Sequence, residues 1–259
     1  MTRWMRSMHK WVGLVLAVQF VLWMASGLVM SLLDHERVEG EHHRANHAQA
    51  AKTWPTGTLS PSQVLAAARR PVEGLETRWV RDQPVYRLSE GSSVWLVRAA
   101  DGRPLRVDAV MAAAIAAADY VGEGAASAPE PLARPTSEVR GHEGPIWRVA
   151  FRDADDTTLY ISAWDGRILE RRNRSWRLFD VFWMLHIMDY GKRENFNNPL
   201  VIMAASGGLW IALSGVWLLV TSFRLVARKR LAPLSSDSAH KKTRLTGQPG
   251  LDENLKQND

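Results

Sequence analysis

Two long apolar segments lie on either side of a polar middle region. Residues 11–33 carry no formal charge over 23 positions, and residues 200–223 carry none over 24. At 1.5 Å per residue, a helix of either length covers roughly 35 Å, which exceeds a hydrocarbon core of about 30 Å. The first segment is longer than a signal-peptide core and runs into Asp34 without a small-residue cleavage site. The pattern therefore predicts two uncleaved transmembrane helices, at residues 11–33 and 199–223.

The middle region alternates apolar and polar residues in short runs, and these runs recur. Residues 84–88 recur 61 positions later as residues 145–149, and residues 94–105 recur 64 positions later as residues 158–169. The alternation has the period of a β-strand, and each copy contains an Asp-Gly pair that favours a tight turn into a further strand. The recurrence predicts two similar units of antiparallel strands.

A short helix is predicted ahead of each strand unit. Ser60 followed by Pro61 is a typical helix start, and the helix is expected to continue over residues 64–70. In the second unit Asp108 is expected to cap the alanine-rich run at residues 109–120. Each unit is therefore predicted to be a helix followed by an antiparallel sheet.

These elements define the predicted fold class, which is α+β with two transmembrane helices flanking two tandem helix-plus-antiparallel-sheet repeats. The repeats occupy residues 59–108 and 109–172. Residues 122–135, rich in Ala, Pro and Gly, are expected to form a long exposed loop within the second repeat. Residues 34–58 form a juxtamembrane segment rich in His and acidic residues, and residues 224–259 read as a basic, disordered tail.

The distribution of charge orients the spans. The net charge is +6, yet residues 34–198 hold 22 basic and 23 acidic residues. The basicity is concentrated before the first span and after the second, which by the positive-inside rule places residues 1–10 and 224–259 in the cytoplasm. Residues 34–198 are then periplasmic in a bacterial inner membrane. Charge confined to the flanks of apolar segments indicates a lipid bilayer partner and excludes nucleic acid as a partner.

Candidate chemistry must rely on residues other than cysteine, because the chain contains none. Residues 173–191 are predicted to form an interfacial or re-entrant amphipathic helix, in which Trp176 to Tyr190 is helical, Ser175 is the cap and Gly191 the stop. Helical spacing places His186 on an aromatic face with Asp189 one turn away. Such a neutral imidazole suits haem iron, and the alternative is a histidine that simply reaches interfacial water.

Three of the eight histidines lie at the edge of apolar helical sequence, namely His9, His35 and His186. His9 and His35 are 26 residues apart, so a straight first span separates them by roughly 39 Å. His35 and His186 both lie on the outer side, where they are able to share one iron within a chain. His9 would then need a second protomer or a second haem.

The juxtamembrane segment has two open interpretations of its own. It contains four histidines and four carboxylates between Asp34 and His47, which are suitable ligands for a weak divalent-metal site. No fixed ligand spacing is visible, which favours a solvated, pH-sensitive segment.

The duplicated helix-and-strand unit, the start of the first span with His-Lys-Trp-Val-Gly at residues 9–13, and Leu185-His186 before the second span together resemble the PepSY domain proteins with PepSY-associated transmembrane helices. The resemblance covers residues 5–228. It implies an inner-membrane electron-transfer component with haem b held by the candidate histidines, acting in ferric iron or siderophore reduction. A redox partner protein or a homodimer would complete it, since larger members have four spans and this chain has two.

Soluble PepSY modules imply the alternative, which is a non-catalytic, membrane-anchored scaffold that holds a peptidase or another envelope partner. Whether the chain is an enzyme stays open at this stage.

Overall fold

The computed structural model describes residues 2–46 and 52–231. The chain divides into two compact units, which are described separately. One comprises Met1–Ala17 and Ala205–Asp259, and the other comprises Val18–Ala204.

The two predicted spans are helices. The first helix, α1, covers Thr2–Leu32, and the last, α6, covers Pro199–Leu231, so each continues beyond its apolar segment into the basic flank. The stretches Arg3–Leu32 and Pro199–Arg224 are long and apolar enough to cross a membrane. Most of their large apolar side chains are exposed, which sets them apart from the core helices of a soluble fold.

In the first unit, α1 and α6 approach each other closely at glycines. A Cβ atom on Gly207 would lie 2.8 Å from Cδ1 of Leu16, and one on Gly215 would lie 3.3 Å from Cε1 of His9. Small residues let helix backbones come close enough for direct packing. Both glycines therefore serve contacts within one chain.

The second unit begins with the end of α1, followed by α2 at His35–Glu39 and a 3-10 helix at Glu41–His43. Its first sheet has four antiparallel strands in the order β1-β2-β3-β4. These strands run Gly74–Val80, Gln83–Glu90, Ser93–Arg98 and Pro104–Leu105. The helix before them, α3 at Pro61–Ala67, starts with the predicted Ser60 cap but ends three residues earlier than expected, because Ala68 is extended.

The second sheet is also antiparallel. It follows α4 at Ala109–Asp119, which Asp108 caps as predicted. Its strands are β5 to β9, at Ala125–Ala126, Glu130–Leu132, Ile146–Arg152, Thr158–Ser162 and Ile168–Arg172. β5 and β6 both pair with β7, and β7, β8 and β9 follow in order. The expected long loop at residues 122–135 is therefore wrong in part, since two short strands lie within it.

Equivalent turns connect the last strands of each sheet. The N–H of Gly102 donates to the carbonyl of Arg98, and the N–H of Gly166 donates to the carbonyl of Ser162, at 2.9 Å in both cases. The two glycines have φ values of 71° and 69°, in the left-handed region that favours glycine. The two Asp-Gly pairs that recur in the sequence thus form the same turn.

The main hydrophobic core is shared by both sheets and α4. Leu96 of the first sheet, Leu159 and Ile161 of the second, and Ala116 of α4 are all nearly inaccessible to solvent within it. Neighbouring strand residues point away from this core, since side chains alternate between the two faces of a strand. Two smaller clusters cover the outer faces, one around Val64 and the other around Val139.

The predicted amphipathic helix is present with different ends. α5 covers Arg174–Ile187, and its cap is Asn173, whose side chain accepts from the N–H of Trp176, in place of the predicted Ser175. The helix ends at a left-handed Met188 with φ 56°, so it stops before the predicted Gly191. Asp189 therefore lies beyond the helix.

Candidate functional site

The start of α5 is held against α2. The Asn173 side chain donates to the carbonyl of Arg37 at 2.6 Å while it caps α5. Asp180, a buried carboxylate in the middle of α5, accepts from Arg140 at 2.5 Å and also pairs with Arg193. A buried charge needs such partners, because it has lost its hydration. These contacts determine where the C-terminal half of α5 lies.

His186 packs against α1 at a Ser-Gly pair. Its Nδ1 lies 3.0 Å from Oγ of Ser26, and a Cβ atom on Gly27 would lie 3.5 Å from its Cε1. The Ser26 hydroxyl donates to the carbonyl of Leu22 at 2.6 Å. A hydroxyl has one proton, so while Ser26 donates it to that carbonyl its oxygen can only accept, and the tautomer that satisfies both contacts has the hydrogen on Nδ1 of His186. The indole of Trp23 donates to the carbonyl of His186 at 2.8 Å and fixes the backbone there.

His9 has the same surroundings in the other unit. Its Nδ1 lies 2.7 Å from Oγ of Ser214, and Ser214 donates in turn to the carbonyl of Ile211 at 3.0 Å. The next residue is Gly215, whose missing side chain leaves room for the ring. Ser26-Gly27 and Ser214-Gly215 are therefore equivalent in role. Sequence reasoning missed them, although the two dipeptides are visible in the apolar segments.

His35 lies elsewhere. It is the first residue of α2 and pairs with Glu39 at 3.1 Å, with 83% of its side chain exposed. Ser26, which holds His186, is six residues before the end of α1, so about 9 Å of helix lies between its level and that end. The structure therefore does not bring His35 and His186 together, and the predicted neighbour of His186, Asp189, accepts backbone N–H groups of the next loop.

The tautomer of His186 and of His9 decides which ring nitrogen is free to bind a metal. When Nδ1 donates a hydrogen bond, Nε2 of the neutral imidazole presents its lone pair, which is the form that binds iron. Within residues 2–46 and 52–231, Nε2 of His186 and Nε2 of His9 make no hydrogen bond. Each pair thus offers one imidazole ligand.

An arginine-lined cavity of about 390 Å³ opens on the second unit. Its lining includes two carboxylates, Asp119 and Asp165, and five arginines, Arg44, Arg78, Arg81, Arg167 and Arg171. Burial alone would raise the pKa of Asp165, but hydrogen bonds from Ser162 and nearby guanidinium groups keep it below its usual range. Several of these arginines are already paired, Arg171 with Asp119 and both Arg78 and Arg167 with Asp165.

Comparisons of the chain with protein-family models, with curated proteins and with solved structures find no match. The functional argument therefore rests on the arrangement of side chains.

Proposed function

We propose that this protein is a haem-dependent electron-transfer component of a bacterial inner membrane, which acts in the reduction of ferric iron or of an iron-siderophore complex. One observation carries the proposal. Two histidines in apolar helical surroundings each have Nδ1 held by a serine hydroxyl and a glycine beside the ring. A neutral ring held in this tautomer would be able to hold haem iron through Nε2.

The residues around His186 fit haem b by the chemistry of the donor set. A b-type haem supplies one-electron transfer when its iron is held by imidazole nitrogen. Ser26 keeps the hydrogen on Nδ1, Gly27 leaves space beside the ring, and Trp23 holds the backbone of residue 186. His9 is proposed as ligand of a separate group, with Ser214 in the corresponding role.

A second histidine to hold the haem would come from a second copy of the chain. Each Ser-Gly pair holds a single imidazole, and His35 is paired with Glu39 at an exposed position. A homodimer with twofold symmetry would present the same imidazole twice, once from each protomer. A dimer would also give four spans in total, the number found in the larger proteins that the sequence resembles.

The proposed PepSY-like repeat and the proposed topology have separate support. The last three strands of each sheet follow in order, as β2-β3-β4 and as β7-β8-β9, and the glycine turns before the last strand lie 64 residues apart. The basic flanks of α1 and α6 favour a cytoplasmic location for both ends, with residues 34–198 in the periplasm.

The test is a visible spectrum of the full chain purified in detergent from cells supplied with haem. We expect a Soret band that shifts on reduction by dithionite, as a six-coordinate b-type haem gives. His186→Ala should remove at least half of the bound haem, because one ring nitrogen forms the bond to iron. Ser26→Ala should retain haem but alter its reduction potential, because the hydroxyl acts on the iron only through the ring.

His142→Ala is the matched control, since His142 is also hydrogen-bonded, to Glu170 at 2.8 Å, but lies in the loop before β7, outside the apolar helices. It should leave the haem content unchanged, as should His35→Ala. Size-exclusion chromatography shows that each variant is folded. A wild-type protein without haem, or full haem in His186→Ala, would overturn the proposal and favour the non-catalytic scaffold.

A further inference from the structure

Two consecutive histidines, His42 and His43, lie outside both Ser-Gly pairs. The 3-10 helix Glu41–His43 follows α2 after Gly40, whose φ of 74° turns the chain sharply. The helix is then held against the end of α4, where the N–H of Val121 donates to the carbonyl of His43 at 3.0 Å. This path places two consecutive histidines beside the turn between β7 and β8.

The cluster combines two imidazoles with carboxylates of that turn. Nε2 of His42 lies 2.9 Å from Oδ2 of Asp155, and Nδ1 of His43 lies 3.5 Å from Oδ2 of Asp153. The two imidazole rings are 4.1 Å apart between centroids. One ligand atom from each of His42, His43 and Asp155 lies within 4.8 Å of the others.

This arrangement differs from the solvated segment that the sequence favoured. The side chains of His42 and His43 are only 23% and 25% exposed. Nδ1 of His42 is buried, and it makes no hydrogen bond to any residue of the described ranges. A buried nitrogen without a partner costs about 1–3 kcal/mol, so the protein groups around His42 do not fully satisfy its ring. His47, also part of the predicted segment, lies outside the described residues.

The donor set selects the kind of ion. Imidazole nitrogen with one carboxylate suits first-row transition metals such as Zn²⁺, whereas Mg²⁺ and Ca²⁺ prefer oxygen ligands alone. Tetrahedral ligands placed about 2.0 Å from zinc are about 3.3 Å from one another. The His42–Asp155 separation of 2.9 Å and the 4.8 Å limit on the three ligand atoms lie on either side of that value, so shifts of about an ångström would close the site.

We propose that His42, His43 and Asp155 bind a divalent transition-metal ion of the zinc type. The ion links the 3-10 helix Glu41–His43 to the turn between β7 and β8. Three protein ligands leave a fourth position for water or an external ligand. Asp153 lies beside His43 and helps to position it. Asp153 is itself held in place, since the hydroxyl of Tyr120 donates to it at 2.8 Å and the N–H of Thr157 donates to it at 2.9 Å.

The experiment uses Zn²⁺ as probe, with the full chain in detergent after treatment with a chelator. Isothermal titration calorimetry should show one Zn²⁺ bound per chain, and Mg²⁺ should show no binding. His43→Gln and Asp155→Asn should each weaken Zn²⁺ binding at least tenfold, since each removes one of three ligands. Co²⁺ in place of Zn²⁺ should give the visible absorption bands of a low-symmetry nitrogen-and-oxygen site, and these should be lost in both variants.

His142→Gln is the matched control, because the His142–Glu170 pair has the same chemistry without a second histidine. Its Zn²⁺ affinity should equal that of the wild type. Wild-type affinity in both His43→Gln and Asp155→Asn, or no stoichiometric binding to the wild type, would overturn the site. The haem proposal fails or survives separately, because neither variant should change the Soret band.

Discussion

Asp165 and Asp101 occupy equivalent turns but have different surroundings. The carboxylate of Asp165 is 1% exposed and accepts from Arg87 at 3.2 Å and Arg167 at 2.7 Å, whereas that of Asp101 is 40% exposed and pairs with Arg98. We expect Asp165→Asn to lower the free energy of unfolding by about 2 kcal/mol, because it removes a buried charge that neutralises Arg87 and Arg167 and leaves the mostly covered Arg87 without its counter-charge. Asp101→Asn should cost less than about 1 kcal/mol. Chemical denaturation in detergent measures both, and equal losses would contradict the assigned role of Asp165.

Glu138 gives stability a dependence on pH. Burial alone would raise its pKa, but hydrogen bonds from Arg177 and Tyr160, each at 2.8 Å, outweigh burial and hold the pKa below the ordinary value of 4.5. A lowered pKa in the folded state means that the ionised group stabilises the fold above about pH 4.5. That contribution is lost as pH falls through the lowered value.

We therefore expect Glu138→Gln to destabilise the protein at neutral pH by about 1–3 kcal/mol, the scale of hydrogen bonds to charged groups. The difference from wild type should shrink as the pH falls below about 4.5. Thermal unfolding followed by circular dichroism across the acid range checks this. Glu130→Gln is the control, since Glu130 is 64% exposed and pairs with Arg148 at the surface. A difference that stays constant with pH would refute the assignment.

At the residue scale, sequence predicts what is local. The Ser60 and Asp108 caps were predictable because each acts on a backbone N–H three residues away. The partner of His186 was not, because Ser26 is 160 residues distant and the pairing depends on how α5 meets α1. Periodicity placed Asp189 beside His186 only on the assumption that the helix continued.

At the scale of elements, very short strands cannot be predicted from a sequence pattern. β5 has two residues and β6 three, too few to show an alternation, and β7 supplies the hydrogen bonds that order them. The start of α5 was ambiguous for a different reason. Asn173 and Ser175 are both good caps, and the bond from Asn173 to the carbonyl of Arg37 favours the first.

For the whole molecule, the α+β class, the antiparallel sheets and the two long apolar helices were predictable, because each rests on a repeated or extended pattern. The sharing of one core by both sheets was not. Val85 and Leu96 face that core, while their neighbours Tyr86 and Val97 face α3. Alternation shows that a strand has two apolar faces but not which partner each face meets.

Topology is the prediction that belongs to the whole molecule. Because the chain has no cysteine, a single introduced thiol reports its own location. Ser92→Cys, at an exposed turn between β2 and β3, should react with a membrane-impermeant maleimide in cells whose outer membrane alone is permeable. Ser7→Cys, at an exposed position in the basic flank of α1, should react only after the inner membrane is opened. Reaction of Ser7→Cys in intact spheroplasts would reverse the orientation.

Met188, which ends α5 two residues after His186, influences which substitutions this part of the chain tolerates. A residue with a Cβ atom at φ 56° costs about 1–2 kcal/mol relative to a right-handed conformation. The conformation is retained because Asn198 donates to the carbonyl of Ile187 at 2.7 Å, and because Asp189 accepts hydrogen bonds from the backbone N–H groups of Glu194 and Asn195. We therefore expect glycine or asparagine at position 188 to preserve the end of α5, and valine or isoleucine, whose branched Cβ atoms disfavour this backbone conformation, to destabilise it.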